Sequence, residues 1–261
     1  MSLDRRTALV HLARKHDALI IADDVYDSLR WPICHNQDVQ KTTLSHTTVL
    51  PRLCDIDMAL GPADHDPRHF GNTVSNGSFS KIVAPGMRTG WAEGTPAFAY
   101  GLSQTGSTRS GGSPSQFGAT LMCRLLKDGT LDSHVRNVIV PALQRRHALL
   151  VAALDEYVAP LGVRYDTAGD GSTAYGGYFV WLCLPESLDS EVIAEYARRE
   201  KNLVFGHGRM FEVYGDEESA LFRHHIRLSF SWEPEETIVE GVQRLRSVLE
   251  FHLDKASAAE S

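Results

Sequence analysis

Ala18-Leu19-Ile20-Ile21-Ala22-Asp23-Asp24-Val25-Tyr26 is a continuous apolar run that ends in two carboxylates, with a tyrosine three positions past the first of them. Apolar residues at consecutive rather than alternate positions suit a strand buried on both faces, as in a parallel sheet. Parallel strands are joined through crossover helices, and a helix is expected just upstream. Ser2 is placed to cap it, Asp4 sits in its first turn, and Leu9, Leu12 and Ala13 share a face over a span ending near residue 15. No strand precedes that helix, so the chain is expected to begin inside a βα crossover. Open α/β sheets bind ligands beyond the carboxyl ends of their strands, which is where Asp23 falls.

Further along, residues 32–71 are rich in His, Pro, Asp and Thr and read as irregular, with a short strand near Val49. Strands are expected over 73–78 and 88–93, the second ending at Gly94-Thr95-Pro96. Ser113-Pro114 marks a helix start, serine as cap and proline in the first turn, with helical pattern to about residue 127. A longer helical stretch covers 131–158, and Pro141 is placed to kink or divide it. Composition changes near Pro160. Short strands over 163–165, 177–184, 203–205 and 225–230, with helices over 190–201 and 234–253, make an α+β unit whose boundary lies near residue 158. The last residues, from Ala256, are expected to fray.

A hydrophobic content of 43% is ordinary for a globular chain, and a formal charge of −7 argues against a nucleic-acid partner, which would call for a basic face. The four cysteines (Cys34, Cys54, Cys123 and Cys183) form no CxxC pair, so free thiols in a reducing compartment are expected rather than zinc ligands. The twelve histidines, among them His207 and the pair His224-His225, likewise lack ligand spacing with nearby carboxylates. No window approaches the length of a membrane span and no signal-peptide pattern opens the chain, so the expectation is a soluble, cytoplasmic protein without membrane partners.

The chemistry concentrates in Ser78-Phe79-Ser80-Lys81, followed by Arg88 in Gly86-Met87-Arg88-Thr89-Gly90-Trp91. A lysine forms imines only when part of it is neutral, a state favoured by nearby cations or burial, and Arg88 is a candidate neighbour. Two hydroxyls and a guanidinium also suit a phosphate dianion, which takes a planar fork and adjustable single bonds. The plainer readings are a solvated lysine, a surface ion pair at Arg88 and serines that serve turn chemistry. Asp23 is a carboxylate at the strand end where ligands bind, placed to meet a cationic group. Asp24 competes for that role, and capping of the next turn is the structural alternative. Arg227, in His225-Ile226-Arg227-Leu228-Ser229-Phe230-Ser231, puts a permanent charge in an apolar strand and so asks for an anion, unless it faces water at a sheet edge.

Taken together these motifs resemble the class I/II branch of the pyridoxal-phosphate (PLP) aminotransferases of fold type I. The resemblance implies an α/β fold: part of a large domain with a mainly parallel sheet over 1–158, and a smaller α+β domain over 159–261. It implies that Lys81 carries pyridoxal 5'-phosphate as a Schiff base and serves as general base and acid. Ser78, Ser80 and Arg88 match the phosphate-cup positions. Asp23 matches the partner of the pyridine nitrogen, Tyr26 the tyrosine bonded to the ring's phenolic oxygen, and Arg227 the arginine that grips the substrate α-carboxylate. Tyr178 and Trp181 match a small-domain strand and are read mainly as core. Arg109, in a glycine-rich segment, is a further candidate at a partner subunit's site, since the family implies a homodimer. The family's N-terminal part, with its Asn-Pro-x-Gly element, is not identifiable, so the chain is expected to be truncated. The implied reaction moves an amino group between an amino acid and a 2-oxo acid. A lyase of the aminocyclopropane-carboxylate synthase type and an inactive truncated relative are the alternatives; a PLP-dependent regulator is disfavoured because no helix-turn-helix domain or basic segment is present.

Overall fold

The computed structural model describes residues 1–32, 50–110, 115–165, 174–215 and 221–260. Its helices in chain order are α1 (Leu3–Lys15), α2 (Leu53–Leu60), α3 (Pro96–Ser103), α4 (Gly106–Arg109), α5 (Gln116–Lys127), α6 (Thr130–His134), α7 (Val140–Tyr157), α8 (Ser190–Glu200) and α9 (Glu235–Glu260). The strands are β1 (Ile20–Asp23), β2 (Arg30–Pro32), β3 (Thr73–Ser78), β4 (Gly90–Glu93), β5 (Arg164–Tyr165), β6 (Ala174–Gly176), β7 (Phe179–Cys183), β8 (Gly206–His207) and β9 (His225–Ser229). They form two compact units, Met1–Val140 with Ala168–Gly177, and Pro141–Thr167 with Tyr178–Ser261. Composition places a domain boundary near residue 158 instead; α7 spans the interval, and a compact unit and a functional domain are assigned on different grounds.

The first unit is built on a sheet of order β1-β3-β4. β1 runs parallel to β3, from Ile20 opposite Thr73 to Asp23 opposite Asn76. β4 returns antiparallel, with Ser78 opposite Gly90, because the link between β3 and β4 is too short to hold a crossover helix. β1 corrects the expectation of a strand over 18–22 buried on both faces. It starts at Ile20, its burial alternates, and Ile21 is 67% exposed; among the described residues no strand pairs with its outer edge. Arg30, Trp31 and Pro32 of β2 pair with Gly176, Tyr175 and Ala174 of β6, a small antiparallel ribbon that sequence reading did not anticipate.

α1 opens as expected, the Ser2 hydroxyl accepting from the Arg5 N–H. The face it buries is Val10 and Ala13, however, and Leu12 is exposed. That face is fixed by α2, a helix inside the stretch read as irregular. Asp57 of α2 ties the two helices to β3. Its buried carboxylate accepts from Arg14 Nε at 2.6 Å and from the N–H groups of Asn72 and Thr73 at 2.7 and 3.0 Å. α3 was also unanticipated, although Thr95 caps it, accepting from the Phe98 N–H, and Pro96 occupies its first position. The strand near Val49 and the helix start at Ser113-Pro114 lie outside the described residues; α5 is described from Gln116.

The helical stretch expected over 131–158 is divided beside Pro141. After α6 the chain makes a π-helical turn, Val135–Ile139, before α7 resumes. Proline has no N–H for the ladder and its ring crowds the carbonyl four residues back, and a widened turn relieves both.

The second unit is an antiparallel sheet of order β5-β7-β9-β8. One face buries Val180, Leu182 and Ile226 with Leu150 and Leu154 of α7 and Val242, Leu245 and Leu249 of α9. Each such side chain contributes roughly 1.5–3 kcal/mol on burial. The strand expected over 203–205 is replaced by β8. Leu203 spends its N–H on the Ala197 carbonyl at the end of α8 (3.1 Å), so ladder pairing begins only at Gly206, opposite Arg227. β9 is an interior strand between β7 and β8, which removes the edge-strand reading of Arg227. α8 and the start of α9 fall where expected, and α9 continues to Glu260, past the expected fraying point.

His147 of α7 is buried against Phe230, edge to face with ring centroids 5.4 Å apart, and burial lowers its pKa to about 4. A depressed folded-state pKa means that the unfolded chain takes up the proton first as pH falls. Stability attributable to His147 is therefore full above about pH 6.5 and is lost progressively between about 6.5 and 4, by on the order of 2–3 kcal/mol. Urea midpoints measured across that window should fall with pH in the wild type, and His147→Leu should flatten the slope. An unchanged slope in the variant would assign the acid sensitivity elsewhere.

Among the described residues no helix is long and apolar enough to cross a membrane. Cys54, Cys123 and Cys183 are free thiols.

Candidate active site

β3 delivers the Ser-Phe-Ser-Lys segment into a single turn. Phe79 and Ile82 are buried and hold the turn down, the Val83 N–H closing it onto the Phe79 carbonyl at 2.8 Å. Ser80 and Lys81, at the two positions between these anchors, are left half-buried. The neck is closed from the other side by the Phe79 N–H, which donates to the Thr89 carbonyl at 3.1 Å, so Arg88 lies in the same loop as Lys81. Phe79 packs on Trp91 with ring centroids 4.9 Å apart, and Trp91 lies so close over Gly77 that a Cβ there would sit 2.1 Å from the indole. Only glycine fits that strand position.

Arg88 caps a short 3-10 turn, Pro85–Met87, in a left-handed conformation (φ 49°, ψ 37°). Residues other than glycine adopt it rarely. The guanidinium is exposed and makes one hydrogen bond, Nη1 to the Pro85 carbonyl at 3.1 Å, which leaves the rest of its fork without an acceptor among the described residues. Ser78 Oγ accepts from the Ser80 N–H at 3.0 Å, and the Ser80 hydroxyl has no hydrogen bond among the described residues. α5 supports this loop closely: a Cβ on Gly118 would lie 2.8 Å from the Met87 carbonyl oxygen.

The C-terminal end of β1 brings Asp23 and Asp24 to different partners. Asn76 Nδ2 donates to Asp23 Oδ1 at 2.9 Å across the β1–β3 register, while Ser75 Oγ donates to Asp24 Oδ2 at 2.7 Å. Asp24 is thereby committed to a buried serine, and Asp23 keeps its second oxygen without a partner among the described residues. Asp23, Asp24 and Tyr26 border one cavity of about 340 Å³, with Arg6, Asp27, Arg30 and Ala174–Gly177. Lys81 Nζ lies over the Tyr26 ring, 5.5 Å from its centroid, inside cation–π range. A Cβ on Gly177, whose φ is +83°, would lie 3.7 Å from Tyr26 Cγ.

Arg52 and Glu93 line a second cavity of about 230 Å³, which shares Asp24 and Asp27 with the first. Arg52, just ahead of α2, makes a fork with Glu93 of β4 through two bonds of 2.7 Å and also bonds Asp55. The Arg52 hydrogen bond holds the Glu93 carboxyl below its usual range, and Glu93 and Asp55 keep Arg52 charged. Burial pushes the Asp27 carboxyl up, against the pull of its ion-pair partner Arg30 and of Arg52.

The first unit thus contains Asp23, Tyr26, Ser78, Ser80, Lys81 and Arg88. Arg227 belongs to the second unit. Its guanidinium carbon lies 4.0 Å from the Phe179 ring centroid and 4.3 Å from that of Phe211, and it borders a cavity of about 590 Å³. Trp181, its register partner, is half-buried in a ring cluster with Phe211, Phe222 and His225. Arg109 ends the short exposed helix α4. Asn76, Ser75 and Phe211 escaped sequence reading, because register and long-range packing leave no local signature.

Residues 1–245 match the family model for aminotransferase class I and II. The protein YER152C of Saccharomyces cerevisiae is 35% identical over 257 residues, an alignment covering 96% of this chain and 53% of that protein. Among solved structures, the multiple substrate aminotransferase of Thermococcus profundus superposes with a TM-score of 0.74 at 29% identity, over 98% of this chain and 53% of that one. LysN, an α-aminoadipate aminotransferase of Thermus thermophilus solved with N-(5'-phosphopyridoxyl)-L-leucine, gives 0.71 at 26% identity, over 97% and 55%. The chain spans about half the length of the relatives it matches.

Proposed function

Because this chain belongs to the class I and II aminotransferase family, we propose that it moves an amino group between an amino acid and a 2-oxo acid, with pyridoxal 5'-phosphate held on Lys81. The observation that carries the reading is the placement of Lys81 Nζ over Tyr26, at a cavity that Asp23 also borders. The cofactor fits the residues present: among the described residues Arg88 and Ser80 keep donors without acceptors, which suits a phosphate, and Asp23 keeps a carboxylate oxygen without a donor, which suits a ring N–H.

In this reading Arg88, Ser78 and Ser80 hold the phosphate through charge-assisted and hydroxyl hydrogen bonds. Asp23, oriented by Asn76, keeps the pyridine nitrogen protonated. The Tyr26 hydroxyl donates to the ring oxygen. Lys81 would hold the cofactor through its Nζ and, as a free amine, would serve as the general base and acid for the substrate Cα proton. The cofactor, when bound, supplies an electron sink for the pair left behind by that proton. Arg227 receives the substrate carboxylate on its planar fork. Residues 1–158 act as the cofactor-binding part and 159–261 as the small domain, in a cytoplasmic homodimer.

The test is product analysis. The full chain, incubated with PLP, a panel of amino acids and 2-oxoglutarate, should produce glutamate and the matching 2-oxo acid in equal amounts. Loss of the substrate side chain without glutamate would reveal lyase chemistry instead, and no turnover in folded, PLP-loaded protein would overturn the reading.

A further inference from the structure

Two aromatic rings pack on the Arg227 guanidinium. Phe179, on the same face of the sheet two residues ahead of its register partner Trp181, lies 4.0 Å from the guanidinium carbon. Phe211, at the end of the 3-10 turn Gly208–Phe211, approaches to 4.3 Å and packs edge-on against Trp181 at 5.2 Å. Directly opposite Arg227 in the ladder stands Gly206. A Cβ there would come within 3.1 Å of the Phe211 ring and 3.7 Å of Arg227 Cβ, so the missing side chain is what lets Phe211 reach the arginine. No carboxylate or carbonyl among the described residues bonds the Arg227 guanidinium. Aromatic rings attract a guanidinium through its face and leave the in-plane N–H donors at its edge available.

We propose that Phe179, Phe211 and Gly206 form an aromatic clamp that fixes the plane of Arg227, so that its fork is oriented before a carboxylate arrives. This rests on the reading that Arg227 receives the substrate carboxylate. Phe179 and Phe211 are positioning residues: they act through Arg227 and lower the ordering cost of a two-bond contact.

The experiment is a nitrogen-15 NMR titration of the full chain with 2-oxoglutarate, following the Arg227 Nε–H signal, which Arg227→Lys removes and so assigns. The wild-type signal should be ring-current shifted and should move on titration. Phe211→Leu should collapse the shift and weaken 2-oxoglutarate binding about tenfold, in line with a desolvated cation–π contact, and Phe211→Tyr should restore both. Phe179→Leu should behave as Phe211→Leu does, and circular dichroism confirms that each variant is folded. If Phe211→Leu and Phe179→Leu bind within twofold of wild type while Arg227→Lys loses affinity, the clamp is overturned and the carboxylate reading stands. If 2-oxoglutarate leaves the Arg227 signal unmoved and Arg227→Lys binds normally, the carboxylate reading fails and the clamp's purpose with it.

Discussion

Lys81→Ala is expected to abolish the borohydride-stable bond between PLP and this chain. Transamination should fall with it, by roughly 10²–10⁴-fold from lost proton transfer alone. The anchors Phe79 and Ile82 leave Lys81 as the amine over Tyr26. Peptide mapping after borohydride reduction should find the cofactor on the peptide carrying Lys81 in the wild type and nowhere in the variant. Lys81→Arg is the informative companion. It keeps the charge over Tyr26 but offers no amine that can be neutral near pH 7, so it should retain non-covalent PLP while losing the covalent bond and the rate. A variant that keeps a reducible adduct elsewhere, or transaminates at the wild-type rate, would remove Lys81 from the centre of the site.

Asp57→Ala is expected to cost about 3–5 kcal/mol, the range for breaking a buried ion pair by deleting one partner. The carboxylate is 1% exposed and satisfies Arg14 together with two backbone N–H groups at the start of β3. Alanine leaves all of these donors unanswered in a site water cannot easily enter. Asp57→Asn should fall between, since an amide oxygen still accepts from the backbone but does not neutralise Arg14. Urea denaturation gives the comparison, with the midpoint falling and the slope unchanged if the damage is confined to the folded state. Because β3 leads directly into the Ser-Phe-Ser-Lys turn, PLP affinity should weaken in parallel. A variant as stable as wild type would show that Arg14 and the two N–H groups find other partners.

The family motifs were legible because each is short and local. Lys81, Ser78, Ser80 and Arg88 are linked by spacing along one loop, and Asp23 and Tyr26 by spacing along one strand end. β3, β7 and β9 fell within two residues of expectation, since runs of strand-forming residues bounded by turns are read locally. The misreadings were non-local or weakly signalled. β1 was expected to be covered on both faces, but coverage depends on neighbours that sequence does not supply. α2 starts after Arg52, a residue with no capping preference, whose contribution is the link to Glu93 and Asp55. α3 carries a legible Thr95-Pro96 start, which the sequence reading took only as the end of the preceding strand. β2 and β6 are three residues each and lie far apart in the chain, so neither has a pattern of its own. Asn76 reaches Asp23 only through strand register, and Phe211 reaches Arg227 only through packing.

The Phe79 N–H to Thr89 carbonyl bond makes Lys81 and Arg88 members of one closed ring of chain. In the proposed reading, the amine that would carry the cofactor and the guanidinium that would hold its phosphate therefore share one closure and do not loosen independently. Opening the neck would shift both side chains in a single event and loosen the phosphate with it, while the covalent bond to Lys81 would last until the imine is hydrolysed or exchanged. Loosening of the phosphate and exposure of that imine to water should then rise together.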